Sequence, residues 1–149
     1  MKVIVTSDIH HNKTNLEYIK NNYQYDLFLD AGDSCLSKVD LGDILTVKGN
    51  CDLFNYPKFR VIELNDKYKI YITHGNHDNM NTLKYKALEN GCNIVVTGHT
   101  HIPLYTSDEE ILFLNPGSVS RPRGGSRQSF LILEVDDNIS VDFININYV

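Results

Sequence analysis

With 149 residues, 42% of them apolar and 22% charged, the chain is sized for one domain spanning 1–149 with an ordinary core, and its composition excludes the disordered class. A formal net charge of −5 argues against sequence-independent binding along a nucleic-acid backbone, which normally needs a basic face, so no long duplex is expected as a partner, and short phosphorylated ligands stay open because local charge can oppose the global sign. No apolar run reaches the roughly 18–20 residues of a membrane span, and Met1–Asp8 is too short for a signal peptide, so a cytoplasmic protein with no membrane partner is expected.

Taken in chain order, Val3–Val5 is a short apolar run that ends in Ser7-Asp8 and reads as a buried strand. A helix over 13–22 follows, with Leu16, Ile19 and Tyr23 on one face and Asn12 as N-cap. Leu27–Leu29 and Ile44–Val47 are the next strands. From Lys58 onward strands outweigh helix, at 58–64, 67–73, 93–97, 103–106, 110–114, 129–135 and 139–147, with Asn65-Asp66 and Asp136-Asp137-Asn138 as hairpin turns. A second helix over 79–90 interrupts them, with Met80, Leu83, Ala87 and Leu88 at helical spacing, Asn79 as N-cap and Gly91 as stop signal. Ile139, Val141, Phe143, Ile144 and Ile146 change face once, which implies a bulge or a strand covered on both sides. The inventory fits an α/β sandwich of two mixed sheets with helices outside.

The chemistry sits at the strand ends. In order, the exits carry Asp8 and His10, Asp33, Asn50, His74, then His99 and His101. Each offers O or N to a hard or borderline cation, and none requires a thiolate. Cys35, Cys51 and Cys92 are odd in number with no CxxC pair, which fits a reduced compartment rather than a zinc ribbon. Two cations about 3.5–4 Å apart must share a carboxylate and leave room for water and substrate. Counting satisfies this with Asp8, His10 and His101 on one ion, Asn50, His74 and His99 on the other, and Asp33 as the bridge.

SDIH (7–10), GDS (32–34), GNCD (49–52), THG (73–75) and GHTH (98–101), in this order, resemble the calcineurin-like metallophosphoesterase superfamily. NPGSVSRPRGG at 115–125 is similar to the small single-domain phosphodiesterases of bacteria and archaea within it, which also resemble a eukaryotic retromer scaffold subunit. The resemblance implies a four-layer α-β-β-α sandwich and two divalent cations, manganese first, with nickel, cobalt, iron, zinc or magnesium as alternatives. It further implies hydrolysis of a small phosphodiester by a metal-bridging hydroxide. A protein-binding scaffold, a phosphomonoesterase and a nuclease for short strands remain as alternatives, and a homo-oligomer is open.

KGNCD and HGNHD both offer an Asn beside Gly. If Asn76 were the metal ligand, His74 would have no role, whereas with Asn50 as ligand His74 takes the remaining position. The superfamily's usual GNH then becomes GNC, so the His that serves as general acid near the leaving group is replaced by Cys51, beside Asp52. A thiol is a weaker substitute, which favours diesters with stabilised leaving groups. Asn50, Cys51, Asp52 and His77 are therefore the candidate catalytic residues; His77 stands one residue after the place of a phosphate-facing His in the family's HGH. His11 stands where the family has Gly and is expected to face solvent. Arg121, Arg123 and Arg127 are candidates for a phosphate clamp or a merely exposed loop, Asn115 is expected to be structural, and Cys35 and Cys92 are expected to be packing residues.

Overall fold

The computed structural model describes residues 1–146, which form two mixed five-stranded sheets. The first runs in the order β10 (Ile139–Asn145), β9 (Ser129–Val135), β1 (Lys2–Thr6), β2 (Leu27–Asp30) and β3 (Leu45–Thr46). In the second the order is β4 (Phe59–Glu63), β5 (Lys69–Thr73), β6 (Ile94–Val96), β8 (Ile111–Asn115) and β7 (Leu104–Asp108). Parallel strands occupy the middle of each: β1 beside β2, and β6 between β5 and β8.

Alternating side chains sort into layers because successive residues of a strand point to opposite faces. Val3, Val5, Leu29 and Leu131 meet Ile70, Ile72, Val96 and Leu114 between the sheets. Ile4, Phe28 and Phe130 face outward onto Leu16 and Ile19 of α1 (Lys13–Asn22). On the other side Tyr71, Val95 and Phe113 receive Leu83 and Ala87 of α3 (Met80–Glu89). Central strands buried on both faces read as unbroken apolar runs, which is why β1 and β6 are visible in the sequence. The result is helix, sheet, sheet, helix, the four layers expected.

Both expected caps form: Asn12 Oδ1 accepts the Asn15 N–H at 3.0 Å, and Asn79 Oδ1 accepts that of Thr82 at 2.9 Å. Gly91, at φ 68°, closes α3 in a Schellman arrangement, Cys92 N–H reaching Ala87 O at 2.8 Å and Gly91 N–H reaching Leu88 O at 3.1 Å.

Three local expectations change. A one-turn helix α2 (Lys38–Leu41), capped by Ser37 Oγ accepting the Asp40 N–H, lies in a stretch to which the sequence pattern assigns no element. The strand expected over 44–47 shortens to Leu45–Thr46, although Ile44 and Val47 stay buried. Pairing of β10 with β9 keeps one register from Ile139↔Val135 to Asn145↔Ser129, which excludes a bulge. The strand is instead covered on both sides, with Val141 packed on the inter-sheet core and Ile144 on the outer cluster. Position 147 of that expected strand lies outside the described residues. Among the described residues no helix is long and apolar enough to cross a membrane.

The exits of β1, β2, β5 and β6 open on one edge of the sandwich, the edge where open α/β sheets place their sites. At the opposite edge the hairpin tips are tied together, Asn65 Nδ2 donating to Asp136 O at 2.9 Å and Lys67 Nζ to Asp137 O at 2.7 Å.

Candidate metal centre

Asp8 anchors the site. Its Oδ2 accepts the Ser7 hydroxyl at 2.6 Å and the His99 N–H at 3.0 Å, which leaves Oδ1 facing inward. Around Oδ1 stand His101 Nε2 at 3.2 Å, His10 Nε2 at 3.6 Å and His74 Nε2 at 3.9 Å. Asp8 is 0% exposed, and both its Oδ1 and His10 Nε2 are buried without a hydrogen-bond partner. Orphaned buried acceptors cost about 1–3 kcal/mol each, more when charged, so a carboxylate oxygen ringed by imidazole nitrogens is a set of donors fitted to a cation.

A second group adjoins it. His74 Nε2 lies 3.2 Å from Asp33 Oδ2 and 2.9 Å from Asn50 Oδ1, and His99 Nδ1 lies 3.2 Å from that same Asn50 oxygen. All seven expected ligands thus come to one edge, Asp8, His10, Asp33 and Asn50 from the first sheet and His74, His99 and His101 from the second. Asp8 stands in both groups, with His10 and His101 and with Asp33 and His74, and Asp33, expected as the bridge, turns Oδ2 toward His74 at 3.2 Å. Asp33 Oδ1 is taken by the Cys51 N–H at 2.8 Å, as Asp8 Oδ2 is by Ser7 and His99, so each carboxylate turns one oxygen inward.

Carbonyl oxygens orient the buried rings. His74 Nδ1 donates to Ala31 O at 2.8 Å and His101 Nδ1 to Arg121 O at 2.6 Å. A carbonyl can only accept, so each ring carries a proton on Nδ1, and in the neutral form its Nε2 lone pair is turned into the site, the arrangement metal-ligating histidines use. Burial opposes charge on His74, but the hydrogen bond to Asp33 and the field of Asp8 carry its pKa upward. For Asp33 burial alone would raise the pKa, and the bonds from His74 and the Cys51 N–H bring it below the usual value. Burial, and then His74, hold His99 below its ordinary pKa.

The backbone is bent to make this convergence. Asp8, His10, Asp33, His99 and His101 all have positive φ, between 44° and 72°. Left-handed backbone at non-glycine residues costs on the order of 1–3 kcal/mol each and persists only where its surroundings enforce it. Here the enforcement is a ladder between two exits, Asp8 N–H to Gly32 O at 3.0 Å, His10 N–H to Asp33 O at 3.0 Å and His11 N–H to Ser34 O at 2.9 Å. Two motif glycines allow the loops to touch: a Cβ on Gly49 would stand 2.0 Å from Asp33 Oδ1, and one on Gly98 1.9 Å from Ser7 Oγ.

The expected catalytic residues separate. Asn50 and Cys51 lie exposed at the rim, with Asn50 Nδ2 3.5 Å from Cys51 Sγ. Burial and the neighbouring Asp33 push the Cys51 thiol up. Asp52, expected to act beside a leaving group, is buried and accepts three backbone N–H groups, from Gly49 at 2.7 Å, Asp33 at 2.9 Å and Cys35 at 2.9 Å. Its carboxylate is spent on shaping the loop. His77 is exposed and lines an adjoining pocket with Asn76 rather than entering the cluster.

Elsewhere, His11 is exposed, as are Arg121, Arg123 and Arg127, and Cys92 is buried. Cys35 is half-buried with its Sγ 3.9 Å from His10 Nδ1, so it sits behind a ligand rather than in general packing. Asn115 is structural, its amide donating to Gly98 O at 3.0 Å and Thr100 Oγ1 at 3.1 Å. Ser118 and Ser120 hydroxyls both donate to the Asp8 carbonyl. Sequence reasoning missed Ser7, Ser118 and the carbonyl of Ala31 as supports. Their signal was adjacency to a motif, and adjacency does not reveal what a side chain reaches across the fold.

A family model, the calcineurin-like phosphoesterase superfamily domain, matches residues 1–138. A conserved uncharacterized protein of Streptococcus pneumoniae TIGR4, described as a predicted phosphoesterase, has a similar structure, with TM-score 0.87 and 36% identity over 97% of this chain and 88% of that one. Phosphodiesterase YfcE of Escherichia coli K12 is 36% identical over 110 residues, 68% of this chain and 58% of that protein. Vps29 of Entamoeba histolytica, solved with zinc, covers 99% of this chain and 100% of its own at TM-score 0.77 and 22% identity, a likeness of fold alone.

Proposed function

Because the chain belongs to the calcineurin-like phosphoesterase superfamily, we propose that it is a phosphodiesterase working as a single domain with two divalent cations, manganese by preference. The observation that carries this reading is Asp8 Oδ1, a buried and unpartnered carboxylate oxygen common to two donor groups. When bound, the cations supply positive charge that polarises phosphoryl oxygens and lowers the pKa of a water.

The chain's own residues do the rest. Asp8, His10 and His101 would hold one cation and Asn50, His74 and His99 the other, with Asp33 available to both. Ala31 and Arg121 carbonyls keep the imidazoles aimed. Neutral Asn and His donors preserve the site's electrophilic character, which too many carboxylates would quench. Cys51 stands where a stronger acid would protonate a poor leaving group, and a thiol pushed up in pKa donates sluggishly. A diester with a stabilised leaving group needs that donation least, and the Escherichia coli phosphodiesterase relative supports the same substrate class. Three free cysteines suit a reducing, cytoplasmic setting.

The test strips metal with a chelator, restores manganese, nickel, magnesium or zinc singly, and follows bis(4-nitrophenyl) phosphate and 4-nitrophenyl phosphate. Metal-restored turnover of the diester above the monoester is expected. Monoester turnover in excess would sink the leaving-group argument, and no restored turnover of either would favour a scaffold built on the same fold.

A further inference from the structure

Next to the centre a pocket of about 670 Å³ opens between the start of β4, the end of β5 and the 75–78 turn. Asn50 belongs to both, lining the pocket while its Oδ1 lies 2.9 Å from His74 Nε2. A group bound in the pocket is therefore continuous with one held at the centre. The volume falls within the range of pockets that take small organic ligands.

Its chemistry is opposite to that of the chain as a whole. Lys48, Lys58 and Lys86 line it in a protein of net charge −5. Lys86 is engaged by Asp78 at 2.8 Å, whereas Lys48 and Lys58 have no ion-pair partner among the described residues. Two free ammonium groups beside a phosphoryl-transfer centre are point charges for a second phosphate. The apolar surface is aromatic: Phe59 stacks on Tyr71 with centroids 5.2 Å apart and planes at 17°, and it remains 47% exposed. A ring fixed on one side and open on the other is a stacking platform for a planar ligand.

We propose that this pocket is a subsite for the non-scissile part of the substrate and that this part is a nucleotide, its phosphate held by Lys48 and Lys58 and its base stacked on Phe59. The assignment rests on the phosphodiesterase reading and specifies its substrate class. His77 and Asn76 border the bound group, which gives them a role in recognition rather than in metal binding.

Binding of adenosine 5′-diphosphate and of inorganic pyrophosphate to the full chain, measured by calorimetry with chelator and again with manganese, tests the subsite apart from turnover. In chelator, the nucleotide is expected to bind at least about ten-fold more tightly than pyrophosphate. Lys48→Ala/Lys58→Ala should weaken nucleotide binding at least ten-fold, and Phe59→Leu should bring the nucleotide down to the pyrophosphate level. Nucleotide binding that survives the double lysine substitution, or that never exceeds pyrophosphate binding, overturns the subsite. Manganese-dependent hydrolysis of bis(4-nitrophenyl) phosphate reads the parent reaction separately. Hydrolysis without lysine-dependent binding removes the subsite and keeps the phosphodiesterase; lysine-dependent binding without hydrolysis of any diester does the reverse.

Discussion

The Asp52 carboxylate accepts the backbone N–H of Asp33 at 2.9 Å, across 19 residues of chain. Because it also holds Gly49 and Cys35, it fixes the loop from which Asp33 turns inward. Asp52→Ala leaves three donors short of a partner, and the expected loss is about 3 kcal/mol, a fall in Tm of roughly 6–12 °C, together with reduced hydrolysis. Thermal denaturation checks it. A variant with wild-type Tm and an altered pH–rate profile would return Asp52 to a leaving-group role.

Asp8→Asn removes the carboxylate that both donor groups share. We expect manganese content, read by elemental mass spectrometry, to fall at both positions and diester hydrolysis to drop by at least about 10²-fold. Asp33→Asn should match that loss of rate while retaining more metal, because His10 and His101 still face Asp8. Equal metal content in wild type and Asp8→Asn would overturn the shared position.

Cations that bind the native state alone should stabilise it. At manganese one hundred times its Kd each filled site adds about 2.7 kcal/mol, or roughly 5–10 °C in Tm for a chain of this size. Chelator should reverse it in the wild type and have no effect on Asp8→Asn.

Cys51→His restores an imidazole where the superfamily usually has one. Monoester hydrolysis should rise at least about ten-fold relative to diester hydrolysis in the metallated variant. An unchanged ratio argues that the thiol is not what limits monoesters.

Asp30 sits beneath the site at the end of β2, fully buried, with Thr6 Oγ1 donating at 2.9 Å, Thr46 Oγ1 at 2.7 Å and the Gly32 N–H at 3.1 Å. Burial pushes its pKa to about 7 against the partial opposition of those bonds. The folded chain therefore keeps a proton that the unfolded chain releases near pH 4. Its contribution to stability is full below that pH and is lost as pH rises through about 7, a change on the order of 4 kcal/mol. Asp30→Asn cannot ionise, so its Tm relative to wild type should be higher at pH 8 than at pH 5. Parallel curves would show that Asp30 carries no such proton.

What could be read in the sequence was what local pattern encodes. Runs such as Ile94–Val96 announce strands because both faces are buried, and each ends where a polar residue begins. The Lys38–Leu41 turn was hidden because one turn has no helical period; only Ser37, three residues before Asp40, marks it. The types of the candidate ligands and their order were legible, but which oxygen of each carboxylate turns inward was not. That depends on the Cys51 N–H capturing one Asp33 oxygen, a contact through space. The partners of Asp52 were hidden for the same reason, since nothing near it in the chain shows three amides converging on it. Positive φ at five candidate ligands was equally invisible, because it follows from the pairing of two exits rather than from the residues themselves.

The ligands are drawn from both sheets, and this sets when the site comes into being during synthesis. His101 leaves the ribosome long before β1 acquires its second neighbour, β9, which ends at Val135. Until that strand is inserted antiparallel beside β1, the segment that delivers Asp8 and His10 is an open sheet edge. A nascent chain at that stage therefore holds the candidate histidines and carboxylates without the strand pairing that brings them together in the finished fold.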